Sequence, residues 1–145
     1  MKNKHLNIFT DGGSRGNPGP AAIGVVIKDE SGNLLHQFGK TIGKATNNIA
    51  EYEGVIQALQ WLVDNRNNLP HLSRACRGIS FFLDSALVAN QLSGLWKVKD
   101  ANLRKKVIQV RELEGTLSLP IKYTPISREK NYQADALLNQ ALDKA

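Results

Sequence analysis

Four carboxylates stand where chemistry, more than solvation, would use them. Asp11 and Asp84 each end an apolar, strand-like run, at residues 5–9 and 79–83. Glu51 and Asp135 fall in the first turns of amphipathic helices, on rows that are otherwise apolar: Glu51 with Val55, Ala58 and Leu62, and Asp135 with Leu138 and Leu142. A carboxylate directed toward an interior needs a partner or a metal. Taken singly, each has an ordinary use: Asp11 in a turn, Glu51 and Asp135 as first-turn charges, Asp84 as a cap. Taken together they imply more. Sites in open α/β sheets form beyond the carboxyl ends of the strands. If the strands ending in Asp11 and Asp84 run side by side, their acids meet there. Four acids at one point repel unless cations hold them. With no His or Cys cluster, the expected cations are hard and oxygen-preferring: two Mg²⁺, with Mn²⁺ as the alternative. Two such ions bridged by acids suit in-line displacement at phosphorus.

The elements must bring these acids together. The first strand runs to about Asp11, and a Gly/Pro-rich loop, Gly12 to Pro20, follows. Glycines there allow close backbone approach and positive φ. Residues 21–28 form a β-branched second strand and residues 34–43 a weaker third, joined by short turns as an antiparallel meander. A helix capped by Asn47 or Asn48 carries the apolar stripe Ile49, Tyr52, Ile56, Leu59 and Val63. Residues 64–77 read as a loop and 79–84 as a fourth strand. A short helix follows at 85–92, a linker at 97–100, and a charged helix at 103–113 closed by Gly115. A fifth strand at 118–125 carries prolines, which favour a sheet edge. The last helix spans 131–144.

The chain has 145 residues, enough for one domain with a real core. Its apolar fraction of 41% excludes neither a core nor solubility, and no apolar run is long enough to cross a membrane. The first residues show no apolar signal segment. The lone Cys76 forms neither an internal disulfide nor a metal framework, and a cytoplasmic monomer is expected. The formal charge of +6 suggests a polyanionic partner.

At four places the residues resemble type 1 ribonuclease H. These are Thr10-Asp11-Gly12-Gly13 with Gly16-Asn17-Pro18-Gly19-Pro20, then Thr46-Asn47-Asn48-Ile49-Ala50-Glu51-Tyr52, then Asp84-Ser85-Ala86-Leu87-Val88, and Asn131-Tyr132-Gln133-Ala134-Asp135. They occur in the family's order and cover nearly the whole chain. The resemblance implies a ribonuclease H-like α/β fold: a five-stranded mixed sheet, three antiparallel strands then two parallel, flanked by helices. It implies a single domain over residues 1–145. It also implies two-metal hydrolysis of the RNA strand of RNA–DNA hybrids.

By the same resemblance Asp11 bridges both metals, Glu51 and Asp84 complete one site, and Asp135 helps hold the ion that carries the attacking water. Gly12, Asn17 and Asn47 match positions facing the hybrid's minor groove, where 2′-hydroxyls mark RNA. Thr46 and Lys28 match positions near the phosphates of the DNA strand. Two departures stand out. The loop before the last helix, Ile126-Ser127-Arg128-Glu129-Lys130, lacks the His that many members carry; either Arg128, expected to contact the substrate, takes part of its role, or activity is lower. The segment Leu95 to Leu103 is too short for the basic handle of some members, and no N-terminal hybrid-binding domain precedes Asp11, so the compact form is expected. Trp96 in that segment either stacks on nucleic acid or, the preferred expectation, packs over a helix junction. Two alternatives to the enzyme remain: a module of this fold that holds hybrids without cutting, and another nuclease of the fold, such as a junction resolvase.

Overall fold

In the computed structural model, residues 5–69 and 76–145 are described. The elements in order are β1 (His5–Ser14), β2 (Gly19–Asp29), β3 (Leu34–Ala45), α1 (Asn47–Asn65), β4 (Gly78–Leu83), α2 (Ala86–Leu92), α3 (Ala101–Leu117), β5 (Ile121–Pro125) and α4 (Tyr132–Lys144). A single turn of 3₁₀ helix, Arg128–Asn131, leads into α4. The five strands form one sheet in the order β3-β2-β1-β4-β5. β1, β2 and β3 are antiparallel neighbours, while β4 runs parallel to both β1 and β5. This is the expected mixed sheet, with proline-bearing β5 at one edge.

Alternation sorts the strands between two faces. Leu6 and Ile8 of β1 join Ile23, Val25 and Ile27 of β2 in the main core, against Tyr52, Val55, Leu59 and Leu62 of α1. α2 and α3 add Val88, Leu92, Leu103 and Val110 to the same core. The other face is covered by α4, whose Leu138 and Leu142 pack on Ala22. Here α4 lies on the backbone itself. A Cβ added to Gly24 would come within 2.0 Å of the Ala134 carbonyl oxygen. This approach sets the height of α4, and with it Asp135, above the sheet.

Local chemistry moves several boundaries from their expected places. β1 continues through Gly12 and Gly13 to Ser14, because β2 pairs with it as far as Ser14↔Ala21. The cap of α1 is Thr46, whose Oγ1 accepts from the Ile49 N–H at 3.2 Å; Asn47 lies inside the helix. α3 begins at Ala101, where the Asp100 carboxylate accepts from the amides of Asn102 and Leu103. It runs through Gly115 and ends at Ser118, a left-handed residue with φ 54°. Ser118, expected to open the fifth strand, caps this helix instead, and β5 begins only at Ile121. The loop expected at 64–77 begins after Asn65, and its residues 70–75 lie outside the described residues. Trp96, in the connection between α2 and α3, is 49% exposed, beside Leu95 at 73%. Cys76 is buried and unpaired. Among the described residues no helix is long and apolar enough to cross a membrane.

Candidate active site

The parallel pairing of β1 with β4 brings the strand-ending acids together. Phe9 lies opposite Phe82, so both strands carry Asp11 and Asp84 past the same end of the sheet. α1 supplies the third acid. Gly12 packs against its first turn so closely that a Cβ would lie 2.1 Å from the Ala50 carbonyl oxygen. No larger residue fits between strand and helix, and the contact puts Glu51 beside Asp11. The Gly12 N–H donates to Asp11 Oδ1 at 3.0 Å and to Glu51 Oε1 at 3.2 Å. Carboxylate oxygens of Asp11, Glu51 and Asp84 all lie within 4.8 Å of one another. Asp135, from the first turn of α4, lines the same cleft of about 510 Å³, together with Asn47, Ser85 and Arg128.

The electrostatics are those of a site built for positive charge. Burial, with the neighbouring charges of Asp84 and Asp135, pushes the Asp11 carboxyl from 3.8 up to about 7, although a hydrogen bond from Glu51 pulls the other way. Glu51 is raised well above its ordinary value, first by burial and then by the Asp11 charge. Asp84 is raised by burial, an effect opposed by the Arg128 guanidinium and the Asn131 amide. Glu51 Oε2 is buried and has no hydrogen-bond partner. An unpartnered carboxylate oxygen within an acid cluster is costly unless a cation takes it up. Oxygen donors alone, with no imidazole or thiolate, fit a hard divalent ion.

The remaining expected site residues divide into two groups. Asn47 Oδ1 accepts from the Ser14 N–H at 3.0 Å, and Asn17 Oδ1 accepts from the Asn47 N–H at 3.0 Å. These bonds lace the 15–18 loop to the start of α1 at the edge of the cleft. They use only the amide oxygens; among the described residues no hydrogen bond engages either Nδ2. Thr46 lines a smaller neighbouring pocket with Asn17, Asn48 and Asp100. Lys28 is not brought to the cleft. It pairs with Asn7, four positions along the β1–β2 register from Asp11↔Gly24, and its Nζ lies 5.4 Å from the centre of the Phe9 ring. Asn131, singled out in the sequence only as the first residue of the last motif, is placed close to the acids. Expected at a helix start, it is 1% exposed, and its Nδ2 donates to the carbonyl oxygen of Thr10, the residue before Asp11. Its place beside Asp135 in one motif was the only available signal.

The comparisons with known proteins agree with this geometry. A family model described as reverse transcriptase-like matches residues 9–141. Ribonuclease HI of Halobacterium salinarum is 43% identical over 97% of the chain, which spans 65% of that protein's length. Ribonuclease H of Paracidovorax citrulli is 32% identical, over 95% of this chain and 94% of that one. Among solved structures, LC11-RNase H1 in complex with an RNA/DNA hybrid superposes with a TM-score of 0.88 at 42% identity, covering 96% of this chain and 97% of that chain. Several mycobacterial relatives extend much further, the chain spanning 35% of their length. Motifs, fold and near-complete coverage therefore coincide: the chain belongs to the type 1 ribonuclease H family.

Proposed function

We propose that this chain is an endoribonuclease that hydrolyses the RNA strand of RNA–DNA hybrids with two Mg²⁺ ions. The observation that carries the reading is the convergence of Asp11, Glu51 and Asp84 from three separate elements within 4.8 Å, with one carboxylate oxygen left unpartnered. A protein that merely bound nucleic acid would gain nothing from negative charges placed beside phosphate. The reading includes action as a cytoplasmic monomer, since one copy carries all four carboxylates.

Asp11 would bridge the two ions, Glu51 and Asp84 would complete one site, and Asp135 would help hold the other. When bound, such ions make a water nucleophilic near neutral pH and neutralise charge on the displaced oxygen. The chain's own groups do the positioning. The Gly12 N–H orients one oxygen each of Asp11 and Glu51. The Arg128 guanidinium, beside Asp84, offers paired donors to the phosphate being cut. The free Nδ2 groups of Asn17 and Asn47 donate toward the minor groove, where 2′-hydroxyls distinguish RNA from DNA. Displacement of the 3′-oxygen leaves a 5′-phosphate and a 3′-hydroxyl.

A cleavage assay on a short hybrid with a uniformly labelled RNA strand tests the proposal, run with Mg²⁺ and with EDTA. Duplex DNA and a branched DNA junction serve as parallel substrates. The hybrid alone is cut, in the RNA strand and only with the metal. Cutting of the junction instead would assign the chain to a different nuclease activity, and tight hybrid binding without cutting would make it a binding module.

A further inference from the structure

Asn131 ends the 3₁₀ turn that leads into α4, and its side chain is shut away from solvent at 1% exposure. Its Nδ2 donates to the Thr10 carbonyl oxygen at 2.8 Å, 121 positions away in the sequence. The orientation of this amide is fixed by its partner: a backbone carbonyl only accepts, so the NH₂ group must face it. Thr10 immediately precedes Asp11. One amide thus ties the end of β1 to the start of the helix that carries Asp135. Its Oδ1, buried like the rest, has no hydrogen-bond partner. A buried amide with half its capacity unused is a poor choice for packing alone.

We infer that Asn131 is a positioning residue for the metal site, holding the start of α4 against the end of β1 so that Asp135 stays in register with Asp11. The inference rests on the metal-dependent reading given above. The side chain suits the task by its charge as well as its reach. An aspartate here would add another negative charge to the cluster and lose the donor. A leucine of similar size would leave the Thr10 carbonyl without a partner.

The test is a Mg²⁺ titration of the free protein, followed by the amide NMR signals of Gly12 and Ser85, beside a thermal melt and steady-state kinetics on a short hybrid. For Asn131→Ala, the Mg²⁺ concentration at half-saturation rises about tenfold. The Mg²⁺ dependence of the turnover number shifts by the same factor, and the Michaelis constant for the hybrid is unchanged at saturating metal. A purely structural role would lower the melting temperature without moving the titration. If the alanine variant does not fold, Asn131→Ser is measured instead. It keeps one short donor and gives a smaller shift in the same direction. A titration superimposable on that of the natural protein, in whichever variant folds, overturns the inference. Failure of the natural protein itself to respond to Mg²⁺ overturns the metal-dependent reading, and the inference with it.

Discussion

The Gly12 amide donates to Glu51 Oε1 at 3.2 Å, while the absent side chain of Gly12 is what lets α1 approach at all. One residue therefore sets both the distance between strand and helix and the orientation of the acids they carry. Gly12→Ala forces its Cβ against the Ala50 carbonyl, and a clash with backbone cannot be relieved by a rotamer change. The expected cost is about 1–3 kcal/mol of stability. Cleavage falls much further than stability does, because Glu51 moves away from Asp11. Denaturant unfolding and single-turnover kinetics on the same preparation check both effects.

The metal-free protein becomes less stable as pH rises. Asp11 is pushed up to about 7 from 3.8, so between about pH 4 and pH 7 the folded chain holds a proton that the unfolded chain has released. Unfolding then releases protons, and the stability contributed by the protonated group is lost as pH climbs through that window. Glu51, raised in the same direction, adds to the loss. Each pH unit over which one extra proton is held changes stability by about 1.4 kcal/mol. Melting temperature in EDTA therefore falls by several degrees between pH 5 and pH 8. Mg²⁺ restores most of the loss at pH 8, and Asp11→Asn flattens the profile in EDTA.

Arg128 is exposed at the mouth of the cleft, on the 3₁₀ turn, and its charge favours ionised Asp84. A guanidinium stays charged near neutral pH and shuttles no proton. Arg128→Ala lowers turnover about tenfold, which corresponds to ~1.4 kcal/mol of barrier. It also moves the acidic limb of the pH–rate profile to higher pH, because Asp84 loses the charge that opposed its burial. An unchanged turnover number and an unchanged profile would leave Arg128 as surface charge.

Much of the site was legible because chemistry placed its acids at element ends. Asp11 and Asp84 end apolar runs, and Glu51 and Asp135 head helical rows, so pattern singled out the acids, while their convergence depended on the parallel pairing of β1 with β4. Register was not legible. Antiparallel pairing with Asn7 sets Lys28 four positions along β2 from the Gly24 that faces Asp11, a placement that no periodicity in the sequence states. The packing of α4 on Gly24 was hidden too, since a glycine in a strand does not announce which backbone will lie against it. Gly12 was read as a loop residue open to a ligand, whereas α1 is its close neighbour. The burial of Asn131 follows from a 3₁₀ turn that no periodicity signals. Gly115 read as a helix end, but a glycine tolerated within a helix costs only ~1 kcal/mol, and the left-handed Ser118 ends it instead.

Hybrid affinity should depend on salt. The net charge is +6 even though the acids are gathered in one cleft, so the remaining surface is strongly basic. Contacts with several phosphates release counterions, and affinity falls by tenfold or more between 50 and 200 mM KCl. Fluorescence anisotropy with a labelled hybrid and the inactive Asp84→Asn variant measures it. A flat response across that range would show that the basic surface does not touch the backbone.

The most direct measurement is cleavage of a uniformly labelled RNA–DNA hybrid by the natural chain and by Asp11→Asn, each with Mg²⁺ and with EDTA. The natural chain cuts the RNA strand only with Mg²⁺, leaving 5′-phosphate ends. Asp11→Asn is folded, and melts no lower than the natural chain in EDTA at pH 8, since it relieves repulsion among buried acids. It does not cut under either condition. Near-normal cleavage by folded Asp11→Asn, or equal cleavage in EDTA, would contradict the account.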